Sequence, residues 1–166
     1  GTSNHTEVTM KLLLRDVAKD ERPSVNQMEM HPLFQQNELR NYFFSEGIIC
    51  LAHMAMGSPN RPARHTFKEH QVGMLDPVII EVADELSVEP SIVCLSWAIQ
   101  RENKSGGYVV MSTRPNRILS NLICATNDLL SSEQIERISG NETPEKPGID
   151  AKNRLIRGQV LLWPEA

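Results

Sequence analysis

Apolar residues along this chain fall into two rhythms, one with the period of a helix and one nearly continuous, and the two take turns. Met10, Leu13, Leu14 and Val17 stand at i, i+3, i+4 and i+7, the stripe of an amphipathic helix that runs to about Asp20. Asn4, with Glu7 three residues on, reads as its capping box. Pro23 opens a mostly apolar stretch from Val25 to Met30 that ends at His31-Pro32, where a helix cannot continue, so it reads as a buried strand. Leu39, Tyr42 and Phe43 line one face of a second helix that Gly47 is placed to terminate. Ile48 to Ala52 is an uninterrupted apolar run, as expected of a parallel strand covered on both faces.

From Met56 to Met74 the rhythm stops, and Gly57, Pro59 and Pro62 with several basic residues make an unusually long loop, of the kind that often binds or covers a ligand. Asp76-Pro77 supplies the N-cap and first position of the next helix, whose inner face carries Ile79, Val82, Ala83 and Leu86. Pro90 opens another helix through Ile92, Leu95, Trp97 and Ile99. Tyr108 to Ser112 reads as a strand, and Pro115 starts a helix expected to turn Ile118, Leu119 and Leu122 inward. Ser131 with Gln134 caps a last short helix ending near Gly140. Residues 1–140 thus form one organised α/β unit, and 141–166 an irregular tail, turn-rich to Gly148 and apolar without clear period from Leu155 to Trp163.

Strands separated by helices argue for a parallel sheet with helices outside it. About three full strands and the end of a fourth are less than half of an eight-stranded barrel, and an open sheet of that size leaves apolar edges. Gly1-Thr-Ser-Asn4 reads as the tail of a strand entering a helix, which points to a fragment. Either more chain completes the sheet or a partner does.

Composition narrows the partners rather than the fold. The 166 residues are 40% apolar and 23% charged, with a net charge of −4. Few aromatics and no Lys/Arg cluster give no electrostatic footprint for nucleic acid. No uncharged apolar run is long enough to span a bilayer and no secretory pattern opens the chain, so a soluble protein with no membrane partner is expected. Cys50, Cys94 and Cys124 are odd in number, far apart and set among apolar neighbours, hence reduced core thiols and a cytoplasmic location. His65 and His70 lack metal-ligand spacing and Cys partners, and no metal is expected.

Asn26, Gln27 and Glu29 interrupt the first full strand, and burying such groups unpaired costs several kcal/mol, roughly. Each needs a partner inside the protein or a ligand. Ser3 and Asn4 read equally as helix caps, Gln27 as a satisfied core amide, His53 as a hydrogen-bonded strand end, and Arg117 as a solvated surface charge.

Taken in order, Gly1-Thr-Ser-Asn4, Val25-Asn-Gln-Met-Glu-Met-His-Pro32, Gly47-Ile-Ile-Cys-Leu-Ala-His53 with Gly57-Ser-Pro-Asn-Arg-Pro62, Asp76-Pro77-Val-Ile, Ala98-Ile-Gln-Arg101 and Arg114-Pro-Asn-Arg-Ile-Leu-Ser-Asn121 resemble the aldo-keto reductase family. The resemblance extends to about Glu136. It implies a partial (β/α)8 TIM barrel, with residues 1–140 as its C-terminal portion from the end of strand five through strand eight.

It also implies roles. Ser3, Asn4 and Gln27 would hold a nicotinamide carboxamide, and His53 stands where the family usually has a tyrosine that stacks on that ring. Gly57, Ser58 and Asn60 belong to the loop over the cofactor pyrophosphate. Ser112 joins the cofactor set at the end of the last strand. Arg117 and Asn121, four residues apart and so on one helix face, would take the 2′-phosphate and the adenine, with Ile118 and Leu122 toward the sheet. Met111 replaces the family's lysine and Ser120 its glutamate near the adenine, so NADP is the expected cofactor with NAD possible, and Arg114 is a candidate substitute for the lysine.

The family's catalytic Asp, Tyr, Lys and His match nothing here: Tyr42 and Tyr108 sit outside the motif, and His31 reads as structural. The resemblance therefore implies the cofactor-binding part of an enzyme that reduces aldehydes and ketones to alcohols, without its catalytic residues. A small-molecule carbonyl is its substrate, and a missing N-terminal barrel half or self-association is expected. The alternative is a non-catalytic pseudo-reductase or cofactor-sensing subunit.

Overall fold

The computed structural model describes residues 1–57, 73–101, 108–109 and 114–140. Four short strands lie in one parallel sheet in chain order: β1 (Thr2–Ser3), β2 (Val25–Glu29), β3 (Ile49–His53) and β4 (Tyr108–Val109). Helices connect them, as parallel pairing requires. The register sets Ser3 beside Gln27, Gln27 beside Leu51, and Glu29 beside His53.

Because side chains alternate across a strand, this register sorts the sheet into two faces. Asn26, Met28, Cys50 and Ala52 point into a core closed by Met10 and Leu14 of α1 (Glu7–Asp16) and by Phe43 of α2 (Asn37–Ser45). Gln27, Glu29, Leu51 and His53 occupy the opposite face and are only half-buried. The apolar run predicts cover on both faces of β3; Cys50 and Ala52 are buried, whereas Ile49, Leu51 and His53 are half-buried.

Local chemistry explains most element ends. The first helix departs from its expected cap: Asn4 has a left-handed φ of 57° and sends its N–H to Gln27 O at 2.8 Å. Thr6 caps instead, its hydroxyl accepting from Thr9 N while Thr9 Oγ1 accepts from Thr6 N. The helix stops at Asp16, and a single 3-10 turn, Lys19–Glu21, fills the remainder of the expected span. Gly47 follows α2 at φ 72°, where a side chain would be strained.

A second core lies among α3 (Pro77–Leu86), α4 (Pro90–Arg101) and α6 (Ser132–Gly140), built from Ile79, Val82, Val93, Cys94, Trp97 and Ile138. Asp76 caps α3 through Val78 N at 3.0 Å, and Ser131 and Gln134 exchange side-chain-to-backbone bonds at the start of α6, both as expected. The two cores are stitched by Gln35, whose Nε2 donates to Pro32 O and to Ser139 O, and Trp97 Nε1 donates to Ser139 Oγ.

The helix α5 (Pro115–Thr126) reverses its expected orientation. Ile118, Leu119 and Leu122 are 51%, 68% and 55% exposed, whereas Asn121 and Cys124 are buried. Among the described residues its helical neighbour is α4, which covers the Asn121–Cys124 side and leaves the stronger apolar stripe open. Cys50, Cys94 and Cys124 are all buried free thiols, as the reduced-core reading expects. Burial pushes the Cys94 thiol up to about 12. Among the described residues no helix is long and apolar enough to cross a membrane. The tail beyond Gly140, most of the loop after Gly57 and the end of the last strand lie outside the described residues.

Candidate functional site

The carboxyl ends of β1, β2 and β3 bring Ser3, Asn4, Gln27 and His53 together on the uncovered face. Ser3 and Gln27 are register partners on adjacent strands, so their side chains share that face. Asn4, one residue past β1, cannot point away freely, because its backbone N–H is bonded to Gln27 O. Its side-chain Oδ1 lies 3.2 Å from Nε2 of His53. His53 is positioned in turn by pairing with Glu29 and by accepting Met30 N–H at its carbonyl, 3.2 Å. The result is a row of hydroxyl, amide and imidazole groups at one edge of a sheet face, able to donate and accept toward a planar amide.

Below this row the other polar residues of β2 are engaged in structure. Asn26, fully buried on the helix side, accepts from Thr2 Oγ1 at 3.0 Å and from His5 N at 3.3 Å, and donates through Nδ2 to His5 O at 3.3 Å. Glu29 Oε1 lies 3.4 Å from Nε2 of the buried His31, and Gln36 Nε2 donates to the Glu29 carbonyl at 2.6 Å. His31 also exchanges backbone bonds with Phe34. Asn26, Glu29 and His31 thereby hold the rim on which Gln27 stands. Sequence reasoning missed Thr2 and Gln36 as participants; neither carries a local signal, since their partners lie on other segments.

After His53 the chain turns sharply. Met54 has φ 55° and Gly57 φ 74°, and Gly57 N–H closes the turn on Met54 O at 2.7 Å. Gly57 is buried at a conformation that favours glycine, so its role in the turn is settled by backbone geometry. Ser58, Asn60, Met111 and Ser112 lie outside the described residues.

Arg117 and Asn121 do not share one environment. Arg117 is exposed, and Asn121 is buried at 7% exposure. Arg114 takes the N-cap position of α5 without a side-chain cap bond, and its carbonyl accepts Arg117 N–H at 2.9 Å. Two exposed guanidinium groups at an uncapped helix N-terminus suit an anion such as a phosphate. This helix follows β4 in chain order.

Tyr42 is separate from all of this. It sits on α2 beside the first core, and burial pushes its phenol up, so it remains protonated near neutral pH. A groove of about 580 Å³ lies between the end of α3, the start of α4 and α5, lined by Ser87, Val88, Ile92, Ser120 and Ile123. Ser120, which the resemblance sets near the adenine, borders it, and the polar row lies elsewhere.

Comparison with known proteins agrees with this fold. The sequence model of the Aldo/keto reductase family matches residues 1–142. Glycerol 2-dehydrogenase (NADP(+)) of Saccharomyces cerevisiae is 36% identical over 148 residues, covering 88% of this chain and 41% of the relative. An aldehyde reductase of the same yeast is 32% identical over 147 residues, covering 86% and 42%. The solved structure of aldose reductase from Giardia lamblia superposes with a TM-score of 0.69 at 26% identity, covering 85% of this chain and 43% of that one. The chain thus spans about two-fifths of the length of the curated relatives it matches.

Proposed function

Because the chain belongs to the aldo/keto reductase family, we propose that it is the cofactor-binding, C-terminal portion of a reductase that uses NADPH to convert aldehydes or ketones to alcohols. One observation carries the cofactor assignment: Ser3, Asn4, Gln27 and His53 converge on one open sheet face at the carboxyl ends of parallel strands. That is where ligands of α/β barrels sit. The donor set fits a carboxamide, which needs both donors and acceptors held at fixed angles.

Bound there, a nicotinamide would supply hydride chemistry. The chain's own residues supply orientation. Ser3 and Gln27 would hold the amide from adjacent strands, the His53 ring borders the same face, and Gly57, with Ser58 and Asn60 after it in the chain, would serve the pyrophosphate. Ser112 belongs to the same set. Arg117, with Arg114 beside it, would grip a 2′-phosphate with paired hydrogen bonds and favour NADP over NAD, while Asn121 would read the adenine. Asn121 is buried at 7% exposure. The name of the yeast glycerol dehydrogenase, which specifies NADP(+), supports the same preference.

The catalytic Asp, Tyr, Lys and His would come from a complementary N-terminal barrel half, or the chain would self-associate. A small carbonyl compound is the substrate; no nucleic acid or membrane partner is invoked. Three buried reduced thiols support a cytoplasmic location. His53 at the usual tyrosine position also favours a second reading, a cofactor-sensing subunit without catalysis.

NADPH fluorescence titration of the chain tests the cofactor assignment. Binding should be tighter for NADPH than for NADH, and Arg117→Ala should erase the difference; equal affinities in the unsubstituted chain would refute the phosphate role. Alone, the chain should not oxidise NADPH in the presence of an aldehyde, and measurable turnover would place the catalytic groups within these residues.

A further inference from the structure

We propose that the groove between α3, α4 and α5 is the docking site of this chain's own C-terminal segment, residues 152–163, whose cations meet Asp84 and Glu89 and whose apolar side chains meet the groove floor.

The groove holds about 580 Å³, within the range of a ligand pocket and enough for a few side chains rather than a further helix. Its lining divides by chemistry. Ala83 and Asp84 come from the last turn of α3, Val88 and Glu89 from the link to α4, Ile92 from the first turn of α4, and Ile123 from α5. Ala83 is buried and Val88 and Ile92 are half-buried, which makes an apolar floor, and Ile123 remains 45% exposed. Asp84 and Glu89 are exposed beside it. Glu85, the next residue on α3, is engaged with α6 instead, where Arg137 and Gln134 bond it. Two carboxylates next to apolar surface suit a cation carried on an apolar chain.

The segment has that chemistry. Residues 152–163 carry Lys152, Arg154 and Arg157 and no carboxylate, together with five aliphatic residues and Trp163. In a chain of net charge −4 this is a locally positive, apolar stretch. It also has the reach. The last described helix ends at Gly140, and the Ser139 hydroxyl accepts from Trp97 Nε1 at 3.0 Å. Trp97 lies five residues along α4 from Ile92, a rise of about 7.5 Å, whereas the eleven residues 141–151 can span up to about 36 Å. Arg117 on α5 is exposed and repels cations, which sets those of the segment on the α3–α4 side. Because the segment is tethered, its effective concentration is on the order of millimolar, and individually weak contacts suffice.

Hydrogen–deuterium exchange of the full chain, read by mass spectrometry on peptides within residues 152–163 and compared with the same sequence as a free synthetic peptide, tests this. Exchange in the chain is expected to be at least about ten-fold slower than in the free peptide, and unchanged over about a hundred-fold dilution. Asp84→Lys with Glu89→Lys should speed it by about five-fold, and Ile123→Asp by a similar factor. Adding Arg154→Glu and Arg157→Glu to the reversed pair should recover at least about half of the lost protection, because the charges again oppose. Should the reversed pair not fold by circular dichroism, Asp84→Asn with Glu89→Gln carries the comparison and should speed exchange by about two-fold. Exchange as fast as in the free peptide overturns the proposal. Protection that the groove substitutions leave untouched overturns it too, since the segment is then held elsewhere. Protection lost on dilution assigns the groove to the segment of a second copy and overturns docking within one molecule.

Discussion

At the scale of single residues, Asn26 shows what a polar side chain gains by being inside. It is fully buried, yet its amide is engaged by the Thr2 hydroxyl and by both backbone groups of His5. Those bonds tie the two-residue strand β1 and the turn after it to the central strand, and so place Ser3 and Asn4. Asn26→Ala removes the clasp and strands the His5 groups, an expected loss of about 2–3 kcal/mol in urea unfolding. NADPH affinity should fall in parallel, although Asn26 faces away from the polar row. A loss below about 0.5 kcal/mol would class the bonds as incidental. The need for a partner was legible in the sequence, because an amide in an apolar strand demands one. The partner's identity was not, since Thr2 and His5 lie more than twenty residues away. Asn4 shows the reverse problem: Asn with Glu three residues on is a legitimate cap pattern, but Asn also tolerates positive φ, and the sheet bond to Gln27 decided between the two.

Among whole elements, ends were easier to read than faces. Asp76-Pro77, Pro90, Ser131 with Gln134 and Gly47 marked their boundaries through chemistry confined to a few neighbouring residues. The face of α5 was misread because that helix carries two usable stripes. Ile118, Leu119 and Leu122 form the more apolar one, while Asn121 and Cys124 form the one that α4 covers. Periodicity ranks stripes by hydrophobicity, and only the neighbouring element says which is buried. The α3–α6 contact gives a testable case of an element held at its rim. Arg137 Nη2 and Gln134 Nε2 bond the two oxygens of Glu85 at 2.6 and 3.0 Å, and these bonds hold its carboxyl below the usual range. A depressed folded value means the stabilisation is present above the unfolded value and is lost as pH falls through the folded one. Glu85→Gln should therefore lower the melting temperature slightly at pH 7, and the two proteins should converge as pH drops below the carboxylate range. Because the pair is exposed, raising salt at pH 7 should shrink the same gap. A gap that persists in acid would assign the effect to packing.

For the whole molecule, the open features lie at the two ends of the sheet. Only β2 and β3 are flanked on both sides among the described residues, so β1 and β4 each keep an unpaired edge. The outer helices match those edges: α1 exposes Val8 at 67% and Leu12 at 52%, and α5 exposes Ile118, Leu119, Leu122 and Ile123. Edges and apolar stripes at both ends are what a barrel cut lengthwise would present, and four strands are half the number that closes one of this kind. Burying such a side chain fully is worth about 1.5–3 kcal/mol, enough for several together to drive association. We expect the chain to associate as its concentration rises in sedimentation experiments, either with itself or with a complementary barrel half added in trans. Leu119→Glu combined with Leu122→Glu should shift that equilibrium toward the monomer. The same pair should leave the thermal midpoint of the dilute chain nearly unchanged, since neither side chain is buried there. A large drop in that midpoint would mean that the stripe is covered within the chain itself. Monomeric behaviour at every concentration, with no binding of the added half, would mean that the exposed stripe and the two edges are tolerated without a partner.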